Sequence, residues 1–300
     1  MMVNWGLSPL PKNALPDASP NPFGMTTAAA SFPVRTLSRA VGAACRFPAP
    51  RPVVRAVIRT FARKYGVDAS EAERAIDEYP TFTEFFTRRL KAGARPIAPG
   101  DLVPVSPVDG TVGEVGDIVE GRLVQAKGKH YTLAELFGGP CAEEDARPFA
   151  GGSFVTVYLA PYNYHRIHAP LGGAITGYIN VPGTLWPVNA VGVRNVERLF
   201  CVNERLTTFL QTPRGNCAVV AVGAMNVGRI RAVYDDVVTN ARRTRAVQRK
   251  DYDKPIPVEK GGELAIFEMG STVVAVFAPG VKLSDEIVPG RAIKLGERLE

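Results

Sequence analysis

One short segment of the chain could carry nucleophilic chemistry. Gly270-Ser271 lies between two β-type runs, at residues 264–267 and 273–277. A residue without a side chain leaves the carbonyl before the serine open to attack, and glycine accepts strained dihedrals that press the hydroxyl against its own amide. The same pair is also typical of a strand bulge. The local pattern alone therefore does not decide between a nucleophile and a bulge.

Two of the three histidines, His165 and His168, share one motif directly after an apolar run at residues 153–160. Imidazole exchanges protons near neutral pH, so either ring could serve as a base or an acid. A His-x-x-His pair can also be half of a metal site, but catalytic zinc usually has three protein ligands and no third is evident. A histidine at a strand end is more often structural than catalytic.

A carboxylate occurs in the motif Pro107-Val108-Asp109-Gly110, which the sequence predicts to be a turn between two apolar strands. Most Asp-Gly pairs are simply turns, because both residues tolerate the dihedrals required. The cysteines give no second candidate site, because they are widely spaced and form no C-x-x-C pair; they are Cys45, Cys141, Cys201 and Cys217. They are typical of reduced thiols in a cytosolic protein.

The elements that must position these residues predict an α+β fold, with N-terminal helices followed by a strand-rich, largely antiparallel core. Residues 1–50 are rich in proline and we expect them to be mostly disordered. Helical spacing covers residues 52–65, and capping pairs Ser70/Glu73 and Thr81/Glu84 predict two more helices. After Pro96 the pattern becomes strand-like, with a short helix at 132–137. The predicted strand regions are residues 102–118, 153–160, 174–181, 204–212, 216–231 and 263–278.

The formal charge of +7 is concentrated near the N-terminus, because residues 1–67 contain nine basic residues and only Asp17 as an acid. The rest of the chain is close to neutral. The helix at 52–65 is amphipathic: its apolar stripe is Val54, Ile58, Phe61 and Tyr65, and its basic stripe is Arg51, Arg55, Arg59 and Arg63. Such a helix suits an anionic membrane surface, a nucleic acid, or simple packing on its own protein. No apolar run reaches the roughly 20 residues of a spanning helix, which predicts peripheral contact at most.

Several further motifs occur in a characteristic order. On them the chain resembles the bacterial-type phosphatidylserine decarboxylases over most of residues 51–280. The matching motifs are Phe82-Thr83-Glu84-Phe85-Phe86 with Arg95-Pro96-Ile97, Pro107-Val108-Asp109-Gly110, Gln125-Ala126-Lys127-Gly128, Tyr164-His165-Arg166-Ile167-His168, Val181-Pro182-Gly183, Asn203-Glu204-Arg205, Val222-Gly223-Ala224, Gly270-Ser271-Thr272-Val273 and Phe277-Ala278-Pro279-Gly280.

The resemblance implies a proenzyme that cleaves itself between Gly270 and Ser271. Asp109, His168 and Ser271 would form a charge-relay set, with His168 as the base that activates the hydroxyl. Ser271 would become a covalent pyruvoyl group, the only cofactor implied, with no metal and no pyridoxal. That group would form a Schiff base with phosphatidylserine and release CO2 to give phosphatidylethanolamine. We expect His165 to donate the proton in that reaction.

The resemblance also implies a domain organisation and partners. Residues 51–95 would be a helical, membrane-proximal region, and 96–300 a catalytic core divided by cleavage into a large β chain, 1–270, and a small α chain, 271–300. The two chains would stay paired at the cytoplasmic face of the cell membrane, against anionic lipid rather than nucleic acid. One alternative is a serine hydrolase that uses Asp109, His168 and Ser271 without cutting itself. Another is a non-enzymatic module that binds lipid or nucleic acid.

Overall fold

The helical part of the chain comes first, as the sequence predicts. The structure is a computed structural model that describes residues 41–126, 129–224, 229–240, 246–268 and 272–300. Residues 41–46 are helical, inside the segment expected to be mostly disordered, whose remainder up to residue 40 lies outside the described residues. Helix α1 (Arg51–Tyr65) has a proline in its first turn and ends at Gly66, which takes the left-handed conformation that glycine favours, with φ of 69°.

The two predicted capping pairs have different outcomes. The Thr81 side chain accepts a hydrogen bond from the Glu84 amide at 3.1 Å, and a short helix begins there as predicted. The prediction of a helix after Ser70 is wrong. The Asp68 carboxylate accepts a hydrogen bond from the Ser70 amide at 2.9 Å and caps a single 3-10 turn instead. The elements of this region are α2 (Phe82–Phe86) and the 3-10 turns Ala69–Glu71 and Ile76–Glu78.

The apolar stripe of α1 packs on the protein's own core rather than facing outward. Val54 and Ile58 are buried against Tyr79 and Phe85, and the Phe61 ring lies 4.9 Å from that of Phe82. Of the three possibilities for this helix, packing on its own protein is therefore the one that accounts for its apolar stripe, because the residues after the helix cover it. Among the described residues, no helix is both long and apolar enough to cross a bilayer.

An eight-stranded antiparallel sheet dominates the rest of the molecule and confirms the α+β class. Its strand order is β10-β6-β7-β8-β12-β4-β1-β13. In chain order these strands are β1 (Gly110–Asp117), β4 (Ser153–Tyr158), β6 (Gly173–Val181), β7 (Arg205–Thr212), β8 (Gly215–Val222), β10 (Gln248–Val258), β12 (Thr272–Phe277) and β13 (Ala292–Ile293).

Two smaller sheets and several short helices complete the described fold. The three-stranded sheet has the order β5-β11-β9, and β2 pairs only with β3. The strands are β2 (Arg122–Ala126), β3 (Lys129–Thr132), β5 (Arg166–His168), β9 (Ile230–Ala232) and β11 (Glu263–Phe267). The helices are α3 (Leu133–Phe137), α4 (Ala142–Ala146), α5 (Ala190–Asn195) and α6 (Leu199–Val202), with a 3-10 turn at Arg147–Phe149. The predicted helix at 132–137 is confirmed as α3.

Both faces of the large sheet are buried at its central strands. All six residues of β12 are buried, and they alternate between two apolar clusters, with Val273 and Ala275 on one side and Val274 and Val276 on the other. This two-sided burial explains why the central strands read as continuous apolar runs rather than as alternation of apolar and polar residues. A strand with both neighbours paired and both faces covered is held more firmly than any edge strand.

Three predicted strand regions have a different division. The run at 216–231 contains β8 and β9, and the run at 263–278 contains β11 and β12, each pair split between two sheets. In the run at 102–118 the strand starts only at Gly110, so Asp109 precedes a strand instead of joining two. Residues 269–271, which include the predicted cleavage site, lie outside the described residues.

Candidate functional site

The histidine motif lies beside the strand that leads to residues 269–271. Strand β5 pairs antiparallel with β11, with Glu263 opposite His168. One residue before β5, the His165 carbonyl accepts a hydrogen bond from the Phe267 amide at 2.9 Å. Both histidines are therefore held by backbone pairing next to the end of β11. Gly270 and Ser271 themselves lie outside the described residues.

His168 is held in one tautomer by a backbone carbonyl. Its Nδ1 lies 2.8 Å from the Gly261 carbonyl oxygen, and its Nε2 lies 3.2 Å from the Tyr164 hydroxyl. Because a carbonyl only accepts, Nδ1 carries the proton and Nε2 accepts from the tyrosine hydroxyl. The ring therefore presents the lone pair of Nε2, which is the form that a general base requires.

The surroundings of His168 keep the ring neutral. Burial lowers its pKa below the ordinary value, and the Arg166 charge acts in the same direction. The hydrogen bond to the Gly261 carbonyl and the carboxylates of Glu263 and Asp109 oppose this shift without cancelling it. Because its ordinary pKa is about 6.5, His168 is unprotonated at pH 7.

Asp109 is close to His168 but bonded to other groups. The Pro107 carbonyl accepts from the His168 amide at 2.9 Å, which brings the two residues into one neighbourhood. The Asp109 carboxylate accepts from Arg95 Nε at 2.8 Å, from Arg95 Nη2 at 2.6 Å and from the Leu295 amide at 2.8 Å. Within the described ranges no hydrogen bond joins Asp109 to His168. Its contribution to His168 is therefore a charge acting through space.

Arg95 connects Asp109 to the helical part of the chain. Its guanidinium also donates two hydrogen bonds to the Glu71 carboxylate, at 2.9 and 2.8 Å. Burial works against the charge of Arg95, but the bonds to Asp109 and Glu71 outweigh it and raise the pKa overall. Breaking a buried ion pair of this kind typically costs about 3–5 kcal/mol, because one charge is left without a partner.

His165 is fully buried and has one unused nitrogen. Its Nδ1 donates to the Asn163 carbonyl at 2.8 Å, and its ring lies 4.1 Å from the Phe86 ring. Among the residues that the structure describes, its Nε2 has no hydrogen-bond partner. Burial, followed by the nearby Arg88 charge, lowers the pKa of His165 to about 3, although the bond to Asn163 opposes the shift. The ring is neutral at pH 7 and can accept a proton at Nε2 before it gives one.

Arg88 is the second incompletely bonded group in this neighbourhood. It is 4% exposed, its Nη2 donates to the Tyr162 carbonyl at 3.3 Å, and its Nε and Nη1 have no partner in the described part of the chain. The guanidinium carbon lies 5.2 Å from the Phe85 ring centroid. Burial lowers the pKa of Arg88, as expected for a charge without a counter-ion.

Sequence reasoning selected the two histidines and Asp109, and the structure brings all three into one region. It missed Gly261, Arg95 as a partner of Asp109, and Arg88. Gly261 lies 93 residues from His168 in the chain, so no local pattern could reveal that contact. Arg95 belongs to the motif Arg95-Pro96-Ile97, and its charge was the one signal that could have suggested a carboxylate partner.

Comparison with known proteins gives one consistent result. The profile of the family described as Phosphatidylserine decarboxylase matches residues 82–299. A protein of Myxococcus xanthus named Phosphatidylserine decarboxylase proenzyme is 52% identical over 89% of this chain and 94% of its own length. Proteins with the same name from Anaeromyxobacter sp. and Brevibacillus brevis are 54% and 45% identical, covering 89% and 81% of this chain, and 94% and 88% of their own lengths. The chain therefore belongs to the phosphatidylserine decarboxylase family.

Proposed function

We propose that this protein is a phosphatidylserine decarboxylase proenzyme, a carboxy-lyase, that cuts its own Gly270–Ser271 bond and then decarboxylates phosphatidylserine to phosphatidylethanolamine. The observation that carries the proposal is the neighbourhood of β5 and β11. Two buried neutral histidines lie beside the strand that runs into the Gly-Ser pair: Nε2 of His165 has no partner among the described residues, and Nε2 of His168 accepts from the Tyr164 hydroxyl. Self-cleavage needs a base at the serine, and the later reaction needs a group that moves a proton.

In the proposed cleavage, His168 Nε2 takes the proton of the Ser271 hydroxyl while the oxygen attacks the Gly270 carbonyl. The Gly261 carbonyl holds the ring in position, and the Asp109 charge stabilises the imidazolium that forms. The acyl group moves from nitrogen to oxygen and gives an ester. Removal of the serine Cα proton expels the Gly270 carboxylate and leaves dehydroalanine, and addition of water with loss of ammonia leaves a pyruvoyl group.

The site fits such a group because a buried imidazole nitrogen, without a partner in the described ranges, lies next to the end of β11. The pyruvoyl group supplies a carbonyl that binds the substrate amine and accepts the electrons left when CO2 departs. His165 is suited to the proton transfers around it. Its neutral Nε2 takes a proton from the substrate ammonium, and the same nitrogen returns a proton to the substrate carbon after decarboxylation.

We further propose that the protein meets the membrane with the outward side of α1. The exposed apolar residues there are Val53 and Val57, with exposed fractions of 52% and 48%, and Phe47, which precedes the helix, is 67% exposed. Exposed basic residues on the same helix include Arg51 and Lys64, and each can add about 1 kcal/mol of attraction to anionic lipid. This surface is close to the site, since Phe86 contacts both Phe61 of α1 and His165, with ring centroids 6.0 and 4.1 Å apart.

The decisive experiment is intact mass measurement of the denatured protein. We expect two chains, the smaller being 271–300 with a blocked N-terminus, and decarboxylation of phosphatidylserine by the same sample. Ser271→Ala should give one uncut chain without activity, whereas Ser284→Ala, a change at another serine of the small chain, should be cut and active. An active wild-type protein that remains a single 300-residue chain would instead favour a serine hydrolase that does not cut itself.

A further inference from the structure

The environment of Arg88 is unusual for a buried arginine. Two of its three guanidinium nitrogens, Nε and Nη1, are covered from solvent and lack a partner within residues 41–126, 129–224, 229–240, 246–268 and 272–300. No carboxylate lies within salt-bridge distance of it among the described residues. An uncompensated buried charge is costly, so an arginine kept in this state needs a reason.

Another buried arginine in the same protein shows the ordinary solution. Arg205 is 3% exposed and also lacks an acidic partner among the residues described, but its three guanidinium nitrogens donate to backbone carbonyls. Those carbonyls belong to Glu135, Leu136, Cys201 and Asn203. This fold can therefore satisfy a buried guanidinium from its own backbone, and at Arg88 it does not.

Arg88 and the unused nitrogen of His165 are anchored side by side. Arg88 donates to the Tyr162 carbonyl and His165 donates to the Asn163 carbonyl, which are consecutive peptide groups. The two side chains also interact electrostatically, because the Arg88 charge lowers the pKa of His165. Tyr162 itself is 43% exposed and marks the edge where this pair approaches the surface. The Arg88 cation and the His165 imidazole, each with unused hydrogen-bonding groups among the described residues, thus share one small region.

We propose that Arg88 binds the phosphodiester group of the lipid substrate and so positions the headgroup against His165. The inference rests on the proposed function and names a substrate-binding residue for it. Guanidinium groups pair strongly with phosphate oxygens, and more so where water is excluded. In a serine phospholipid the phosphorus is only three bonds from the carbon that loses CO2. This short separation matches the arrangement of Arg88 and His165, which are bonded to the adjacent carbonyls of Tyr162 and Asn163.

The other anionic group of the substrate, its carboxylate, is a poorer partner for Arg88. The carboxylate leaves as neutral CO2, so an ion pair with it would stabilise the ground state more than the transition state and slow the reaction. The phosphodiester keeps its charge throughout. Binding it is equally strong before and during the reaction, which affects KM rather than kcat.

The test compares processed wild-type enzyme with Arg88→Met, Arg88→Lys and the neighbouring exposed Arg89→Met. For Arg88→Met we expect normal cleavage by intact mass, a KM for phosphatidylserine raised about 10- to 100-fold and little change in kcat. Its melting temperature should be unchanged or higher, because an unpaired buried charge has been removed. Arg88→Lys should recover part of the affinity, and Arg89→Met should behave as wild type.

Product inhibition by phosphatidylethanolamine separates the two anionic groups, because the product keeps the phosphodiester and lacks the carboxylate. Its inhibition constant should rise in Arg88→Met as much as the KM for the substrate. A rise in KM alone would assign Arg88 to the carboxylate, and an unchanged KM with a lower melting temperature would make it a structural residue; both overturn the proposal. If Arg88→Met does not fold, an Arg88→Lys enzyme with wild-type KM and inhibition constant overturns it equally. Wild-type protein without any decarboxylase activity would instead refute the proposed function.

Discussion

At the scale of single residues, the protonation state of two buried histidines links stability to chemistry. His165 and His168 are both neutral because burial lowers their pKa, and both have a backbone carbonyl as the partner of Nδ1. A carbonyl fixes the tautomer as a carboxylate would, but it adds no full charge that would raise the pKa. The protein thereby keeps Nε2 of each ring unprotonated.

The pKa of His165 predicts acid destabilisation. Its folded pKa of about 3 lies below the unfolded value of about 6.5, so the unfolded chain binds the extra proton as pH falls. Stability is therefore complete above pH 6.5 and is lost progressively between pH 6.5 and 3. Between pH 7.5 and 5 this one residue should lower the free energy of unfolding by about 2 kcal/mol.

Urea unfolding at both pH values can measure this loss, in a Ser271→Ala background so that a single chain unfolds. His165→Asn should reduce the pH dependence by about 2 kcal/mol, since the amide cannot titrate. His130→Asn, at an exposed histidine, should leave it unchanged. Equal pH dependence in the His165→Asn and parent proteins would show that His165 does not hold the stated pKa.

The sequence predicts candidate site residues where residue type and motif order indicate a role. It does not predict residues whose role depends on a tertiary contact. It named Asp109 and His168 as partners, yet the closest partners of Asp109 are Arg95 and the Leu295 amide. Leu295 is 186 residues away from Asp109 in the chain. Such contacts arise from tertiary packing and leave no periodic trace in the sequence.

At the scale of elements, α1 and the long edge strand β10 show why the sequence predicts some elements and not others. The helix was predicted within one residue, but its amphipathic pattern did not decide which of three possible neighbours its apolar stripe contacts. Strand β10 was not predicted at all. It carries Pro255, Pro257 and many exposed charged residues, features that protect an unpaired sheet edge and at the same time hide the strand pattern.

Adjacent residues of α1 give a sharp test of which side meets lipid. Val57 is 48% exposed and Ile58 is fully buried. Val57→Asp should weaken binding to vesicles containing anionic lipid severalfold while changing the free energy of unfolding by less than about 0.5 kcal/mol. Ile58→Ala should cost about 2–5 kcal/mol of stability and leave vesicle binding of the folded protein unchanged.

Vesicle cosedimentation at low and moderate salt, together with urea unfolding, would measure both effects. Binding should fall with salt because exposed charges are screened. If Val57→Asp bound vesicles as tightly as the parent protein, the outward side of α1 would not be the lipid surface.

At the scale of the whole molecule, the strands of the predicted small chain pair with strands of the predicted large chain. Strand β12 pairs with β4 on one side and β8 on the other, and β13 pairs with β1. Near the C-terminus, Glu300 forms an ion pair with Arg214 at 2.9 Å, and the Asp109 carboxylate accepts from the Leu295 amide. The general division into helices and a strand-rich core was predictable from sequence, whereas this interleaving depends on strand order.

We expect the two cut chains to remain a one-to-one pair through native size-exclusion chromatography and to separate only in denaturant. Asp109→Ala should cost about 3–5 kcal/mol, because it leaves the buried Arg95 charge with Glu71 alone, and cleavage should slow. Asp77→Ala, at a half-exposed aspartate paired only with exposed arginines, is the matched control and should have little effect. Separation of wild-type chains under native conditions would contradict the interleaved arrangement.

The central position of β12 has a consequence for the order in which each molecule folds and is cut. If the bond just before this strand breaks only when the surrounding strands have assembled, every cut molecule is one that has folded at least once. The ratio of cut to uncut chains in a cell then records cumulative folding success, independently of later damage. Because a separate copy of the small chain could enter only by breaking the pairs of β12 with β4 and β8, we expect that a damaged small chain is not exchanged and that its replacement requires synthesis of a whole new precursor.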